Sequence, residues 1–266
     1  MTLPTSQVSI GGGGVRPGVR VVEYKRATAE PPTRLVMTVD GPAKEGKTNF
    51  ALTAPGPIAI HDLDLGMEGV IEKFTEKEIY PFRYEVPIST MLPGTEFTSI
   101  ATAAQAVWKE FVLNFRDSLT KMRTVVVDTG TEAWSLIRLA RLGKLTQVLP
   151  IQYTATNAEF RQLTQLALSQ TACNVIFTHK VKDVYKDDKK TGEVERAGFT
   201  ELEYDVQTVL KATRDYTKKG VEQFQLEIQA CRANLGASGT RFVGDDCTFA
   251  KVASTVYPNT TEDFWK

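Results

Sequence analysis

Apolar residues in this chain fall into two patterns. Short continuous runs, Arg34–Asp40, Pro57–Asp62, Arg123–Asp128 and Asn174–Thr178, predict strands buried on both faces. Between them the spacing turns helical. Ile100, Ala103, Ala104, Val107, Trp108, Phe111 and Phe115 predict an amphipathic helix over Thr98–Leu119. Further helices are expected over Asn49–Ala54, stopped by Pro55-Gly56-Pro57, over Glu132–Leu145, and over Thr156–Thr171. The last opens on a capping-box pattern, Thr156 with Glu159. A strand is also expected at Phe82–Val86.

After Lys180 the pattern changes. Val181–Tyr185 and Val194–Phe199 flank a polar turn. Phe224, Leu226, Ile228 and Ala230 alternate with Gln225, Glu227 and Gln229, a half-buried strand expected to pair with Val206–Thr213 across Lys218-Lys219-Gly220. The fold class is therefore α/β: a mainly parallel sheet sandwiched by helices, extended by antiparallel strands on its C-terminal side. Residues 34–266 read as one principal domain. Residues 1–33, with the Gly11–Gly14 run and a short strand at Val19–Tyr24, read as a flexible Gly/Pro-rich arm.

Composition narrows the function classes. Apolar content of 42% and charged content of 24% suit a globular chain with a sizeable core. Formal net charge is zero, so any nucleic-acid contact must come from a local patch. No apolar run approaches the ~20 residues of a membrane span, and no signal-peptide pattern is present. Cys173, Cys231 and Cys247 lack C-x-x-C spacing, which favours a reducing, cytoplasmic setting. With His61 and His179 the only histidines, a classical zinc site is not expected.

The chemistry centres on Gly41-Pro42-Ala43-Lys44-Glu45-Gly46-Lys47-Thr48, a complete G-x-x-x-x-G-K-[ST] loop between strand and helix. Backbone N–H groups of such a loop, through Asn49, cradle phosphates. Lys47 reaches the β/γ-phosphates and Thr48 offers a hydroxyl to Mg²⁺. Asp128 ends the Val125-Val126-Val127 run as a Walker B aspartate would, opposite Thr48. Thr129 follows it where many ATPases place a catalytic Glu, so the base must lie elsewhere. Asp64 is favoured, then Asp62, both at a strand end, with Glu132 as a further candidate or a helix-start acid. His179 is either a γ-phosphate sensor or a histidine bonded at a strand end. Lys180, Lys182, Lys186, Lys189, Lys190 and Arg196, with Tyr185, could hold single-stranded DNA. Nearby acids nearly cancel their charge, and a solvated hairpin is the other reading. Arg214, Arg232 and Arg241 are candidate arginine fingers or surface arginines.

Through Gly41–Thr48, Asp62/Asp64, Asp128, Thr178-His179 and the antiparallel strands that follow, residues Arg34–Arg232 resemble the RecA-core P-loop ATPases. More narrowly, the chain resembles small phage-encoded members that act in single-strand annealing or recombination. The resemblance implies ATP and Mg²⁺ as cofactors and Asp64 in place of the usual base Glu. It implies His179 in place of the usual sensor Gln, and self-association into a ring or filament with nucleotide at the subunit interface. It also implies single-stranded DNA and a single-strand-binding protein as partners, no membrane, and the host cytoplasm as location. The alternatives are a P-loop ATPase of protein assembly, packaging or remodelling without DNA contact, a nucleotide-binding scaffold with little hydrolysis, and a small-molecule kinase.

Overall fold

The computed structural model describes residues 33–87, 97–145, 148–216, 220 and 222–266. The glycine run, the Val19–Tyr24 strand and the Lys218-Lys219 turn lie outside the described residues. In chain order, β1 (Val36–Asp40) leads through the glycine loop into α1 (Lys47–Leu52). Next come β2 (Ile58–Asp62), β3 (Ile79–Arg83), α2 (Phe97–Lys121), β4 (Thr124–Asp128), α3 (Gly130–Leu142), α4 (Tyr153–Ser169) and β5 (Asn174–His179). Then follow β6 (Val181–Lys186), β7 (Lys189–Arg196), α5 (Leu202–Asp205), β8 (Thr208–Tyr216), β9 (Glu222–Cys231), β10 (Arg241–Val243) and α6 (Phe249–Val256).

Eight strands form one sheet in the order β10-β9-β8-β1-β5-β4-β2-β3. From β3 to β8 all neighbours are parallel; β9 and β10 add antiparallel strands. The expected α/β class, parallel with an antiparallel C-terminal extension, is the observed one. Side chains alternate along each strand between two cores. Val36, Val125, Val127, Val175 and Phe177 face α2, α3 and α4. Met37, Val39, Ile60, Val126 and Ile176 face α1, α6 and the Trp265 region. Each large side chain so enclosed contributes roughly 1.5–3 kcal/mol.

Two local expectations are corrected. Thr156 is not an N-cap: α4 starts at Tyr153, after a 3₁₀ turn at Pro150–Gln152, so Thr156 lies inside it, buried. Glu159 instead accepts the Trp108 indole N–H at 2.6 Å and pairs with Arg141. The strand expected at Phe82–Val86 is shifted to Ile79–Arg83, where edge position tolerates Pro81.

His61, on β2, is fully buried in an aromatic box of Phe82, Tyr84, Phe111 and Phe115. Its Nδ1 meets the Tyr84 hydroxyl at 2.9 Å, while Nε2 has no partner. Burial pushes its pKa down to about 3. A histidine held neutral in the fold but free to protonate when unfolded costs stability as pH falls from about 6.5 toward 3, at up to about 1.4 kcal/mol per pH unit. Wild type should therefore melt lower at pH 5 than at pH 7.5. His61→Phe, which fits the box, should show a flatter slope in the same calorimetric series; an unchanged slope would refute the assignment.

Candidate nucleotide-binding site

The glycine loop owes its shape to two tight approaches. A Cβ on Gly41 would lie 2.6 Å from the Ala212 carbonyl of β8, and Gly46 has φ +70° with the Phe224 ring 3.1 Å from its Cβ position. Neither place admits a larger residue. The loop thus sits on the β8–β9 pair, and Gly46 opens α1 with its backbone N–H groups free to face a ligand.

Around it lies a cleft of about 440 Å³, lined by Ala43 through Asn49, Asp64, Asp128, Lys180 and Arg214 among others. The Lys47 ammonium donates to the carbonyls of Gly41 at 2.9 Å and Pro42 at 2.5 Å, resting on its own loop. Burial lowers its pKa, against the attraction of Asp128 and Asp64. The Thr48 hydroxyl donates to Asp128 Oδ2 at 2.7 Å, and the Thr178 hydroxyl donates to Asp128 Oδ1. Burial pushes the Asp128 carboxyl up, and those two hydrogen bonds oppose the shift.

Thr48 and Asp128 are an oxygen-only donor pair at the loop's mouth, the donor type that Mg²⁺ takes together with substrate phosphates. Among the described residues no group of three or more His, Cys, Asp or Glu could hold a metal unaided, so phosphate oxygens would complete the shell. The pair fits the ion. Mg²⁺ held there would neutralise charge on phosphate oxygens.

The three candidate acids separate. Asp62 is buried, and its Oδ1 accepts the Gly66 N–H at 3.1 Å. Burial raises its pKa, against that hydrogen bond. It shapes the turn Leu63–Gly66, and Asp64 is the acid that turn presents to the cleft. Asp64 Oδ2 lies 3.6 Å from the Lys180 ammonium, which binds Glu132 Oε1 at 2.6 Å. Glu132 lies outside the cleft lining and holds Lys180 from behind.

His179 does not line the cleft. His179 is fully buried, with both ring nitrogens unpartnered and its pKa pushed by burial to about 3. Its ring occupies the space beside Gly130, where a Cβ would fall 2.4 Å from it. Lys180, one residue on, reaches the cleft instead. Burial alone would lower its pKa, but the Glu132 hydrogen bond and the charges of Glu132 and Asp64 raise it. The sequence grouped Lys180 with the basic hairpin; its place just past the carboxyl end of a central strand, where open α/β sheets bind ligands, was the available signal.

Arg214 lines the cleft of its own chain, 2.9 Å from Glu222 and 3.9 Å from Glu45. Arg232 donates to the Tyr204 carbonyl, and Arg241 pairs with Glu227 at 2.7 Å. The antiparallel pair β6–β7 stands apart from the main sheet, turning at Asp187-Asp188, both at positive φ as a two-residue hairpin turn requires. Its root is fixed. Lys180 N donates to Thr131 Oγ1, which donates to the Ala197 carbonyl. The Arg196 guanidinium is buried against both Asp40 oxygens at 2.7–3.0 Å, next to the loop's first glycine.

No helix among the described residues is long and apolar enough to cross a membrane. Among curated proteins none matches this chain in sequence. Of solved structures, the flagellar accessory protein FlaH from Methanocaldococcus jannaschii is similar at 10% identity and a TM-score of 0.42, covering 80% of this chain and 85% of its own. The RadB recombinase is similar at 15% identity and 0.43, with 80% and 86% covered. A family model described as AAA domain matches residues 33–251, well over half the chain. By that match, and with its parallel sheet and glycine loop, the chain belongs to the AAA-domain family and has the RecA-like P-loop NTPase fold.

Proposed function

We propose that this protein binds and hydrolyses ATP and uses nucleotide state to control single-stranded DNA binding by the β6–β7 hairpin. The observation that carries the reading is the hairpin's root. Lys180 lies in the phosphate cleft and is followed directly by β6, while Arg196 at the end of β7 grips Asp40 beside the loop. Any change in what Lys180 binds is therefore delivered to the hairpin through one peptide unit. In this reading Lys47 and the loop N–H groups bind the phosphates, Thr48 and Asp128 hold Mg²⁺, and Asp64 accepts the proton of the attacking water. Incoming γ-phosphate competes with Asp64 for the Lys180 ammonium, freeing that carboxylate to act as base. The hairpin offers Lys186 and Lys189 at its tip, which have no ion pair among the described residues, and Tyr185, which is 59% exposed. These suit phosphate and base contacts with a single strand.

Fluorescence anisotropy on labelled oligo-dT tests this. Binding should be tighter with ATP than without and should weaken as salt rises. Lys186→Glu with Lys189→Glu should weaken it at least about tenfold, as expected for charge reversal at two phosphate contacts. Absence of salt-dependent binding in every nucleotide state would leave an ATPase of protein assembly as the reading.

A further inference from the structure

A second cleft of about 440 Å³ opens on the other side of the hairpin root, between α3, the start of α4 and the segment after β7. It is aromatic at its base. Trp134 stacks on Tyr153 with centroids 6.2 Å apart and planes at 22°, and Phe199 packs against Trp134 at 5.7 Å. Trp134 and Phe199 are buried, whereas Tyr153 is half-buried and faces the opening. Arg138 lies over the Tyr153 ring at 5.2 Å and donates to its hydroxyl at 3.0 Å. The Arg138 Nε is buried with no partner, and the guanidinium has no carboxylate partner among the described residues. Asn157 and Lys182 complete the polar wall, and the acid at the rim, Glu201, is taken up by Arg161.

An aromatic floor, a guanidinium without a carboxylate partner and an amide at the wall suit a flat heteroaromatic ring that accepts and donates hydrogen bonds. The volume is that of a nucleoside rather than a side chain. Lys182 belongs both to this cleft and to β6, so a strand running along the hairpin passes its mouth. We infer that this cleft takes one unstacked nucleobase of the bound single strand, stacked on Tyr153 and hydrogen-bonded by Arg138 and Asn157. The inference rests on the nucleic-acid reading above and adds to it a second base contact beside that of Tyr185 on the hairpin.

Anisotropy with oligo-dT and an abasic strand of equal length separates the two ideas. Wild type should hold oligo-dT well over tenfold tighter than the abasic strand, as two stacked bases, on Tyr185 and in the cleft, would provide. Tyr153→Ala, and Asn157→Trp, which fills the cleft, should lower that ratio several-fold, toward what Tyr185 alone provides, while leaving abasic affinity unchanged, with thermal melts checking the fold. Equal affinity of wild type for both strands, or a ratio kept by both variants, would overturn the inference and leave hairpin binding standing. No binding of either strand in any nucleotide state would overturn the nucleic-acid reading itself. Photocrosslinking of wild type with an oligonucleotide carrying 5-iododeoxyuridine gives an answer free of folding effects. Adducts on Tyr153 or Trp134 support the cleft, and adducts confined to Tyr185 refute it.

Discussion

Lys47→Ala should lower ATP hydrolysis about 100- to 1,000-fold, the loss expected when one preorganised charge facing the transferred phosphoryl group is removed. The ligand-free geometry explains why the effect should be on function and not on folding. The ammonium rests on the Gly41 and Pro42 carbonyls of its own loop, and burial already works against its charge. It is held in readiness for an anion at some cost to the empty protein. Removing it relieves that cost, so Lys47→Ala should melt at or slightly above the wild-type temperature. Phosphate release and differential scanning fluorimetry together check both halves. Wild-type turnover in the variant would exclude the loop as the catalytic site. A large drop in melting temperature would mean that Lys47 chiefly braces the loop.

Asp64→Asn should also abolish turnover, but through a different step. The amide cannot accept the proton of the water, while its size and its place beside Lys180 are nearly kept. Nucleotide affinity should therefore persist in Asp64→Asn and fall in Lys47→Ala. Titration of a fluorescent ATP analogue reads the difference.

The sheet was legible in the sequence because buried parallel strands are continuous apolar runs, and four such runs became β1, β2, β4 and β5. The loop was legible because its mechanism demands fixed residue types at fixed spacing. What escaped was α6. Phe249-Ala250-Lys251-Val252-Ala253-Ser254-Thr255-Val256 is short and mixes strong helix formers with the β-branched Val252, Thr255 and Val256. It is helical because Thr248 caps it through the Lys251 N–H, and because Phe249, Val252, Ala253 and Val256 bury against the sheet. The i, i+3, i+4, i+7 spacing of those four residues behind a Thr cap was the available signal. Among Asp62, Asp64 and Glu132 the sequence favours Asp64, and Asp64 is the one that lines the cleft. All three are acids near strand ends, and only the turn fixed by the Gly66 N–H puts Asp64 forward. His179 and Lys180 differ for a related reason: composition identifies titratable groups, while one step past the end of β5 takes the chain from a fully buried ring to a side chain that lines the cleft.

Arg196→Ala should produce the largest loss of stability among polar changes at the hairpin root. The guanidinium is only 5% exposed and makes a forked contact with Asp40, whose own side chain is 15% exposed. Removing one partner of a buried pair leaves the other charge stranded, at roughly 3–5 kcal/mol. The small opening at Asp40 places the expectation at the lower end, since water can reach part of the carboxylate. The Thr38 hydroxyl, 2.9 Å from Asp40 Oδ1, is a single neutral donor and cannot replace the arginine. Melting temperature should fall by about 10 °C, at a few degrees per kcal/mol for a chain of this size. Adding Asp40→Asn to Arg196→Ala removes the stranded charge and should recover much of the loss, which a packing defect alone would not do. The same pair joins β7 to the residue before Gly41, so its removal should also make oligo-dT affinity insensitive to ATP while the hairpin's lysines remain in place. If Arg196→Ala keeps both its melting temperature and its response to ATP, the ion pair neither secures the hairpin nor links it to the phosphate loop, and coupling would have to run through Lys180 alone.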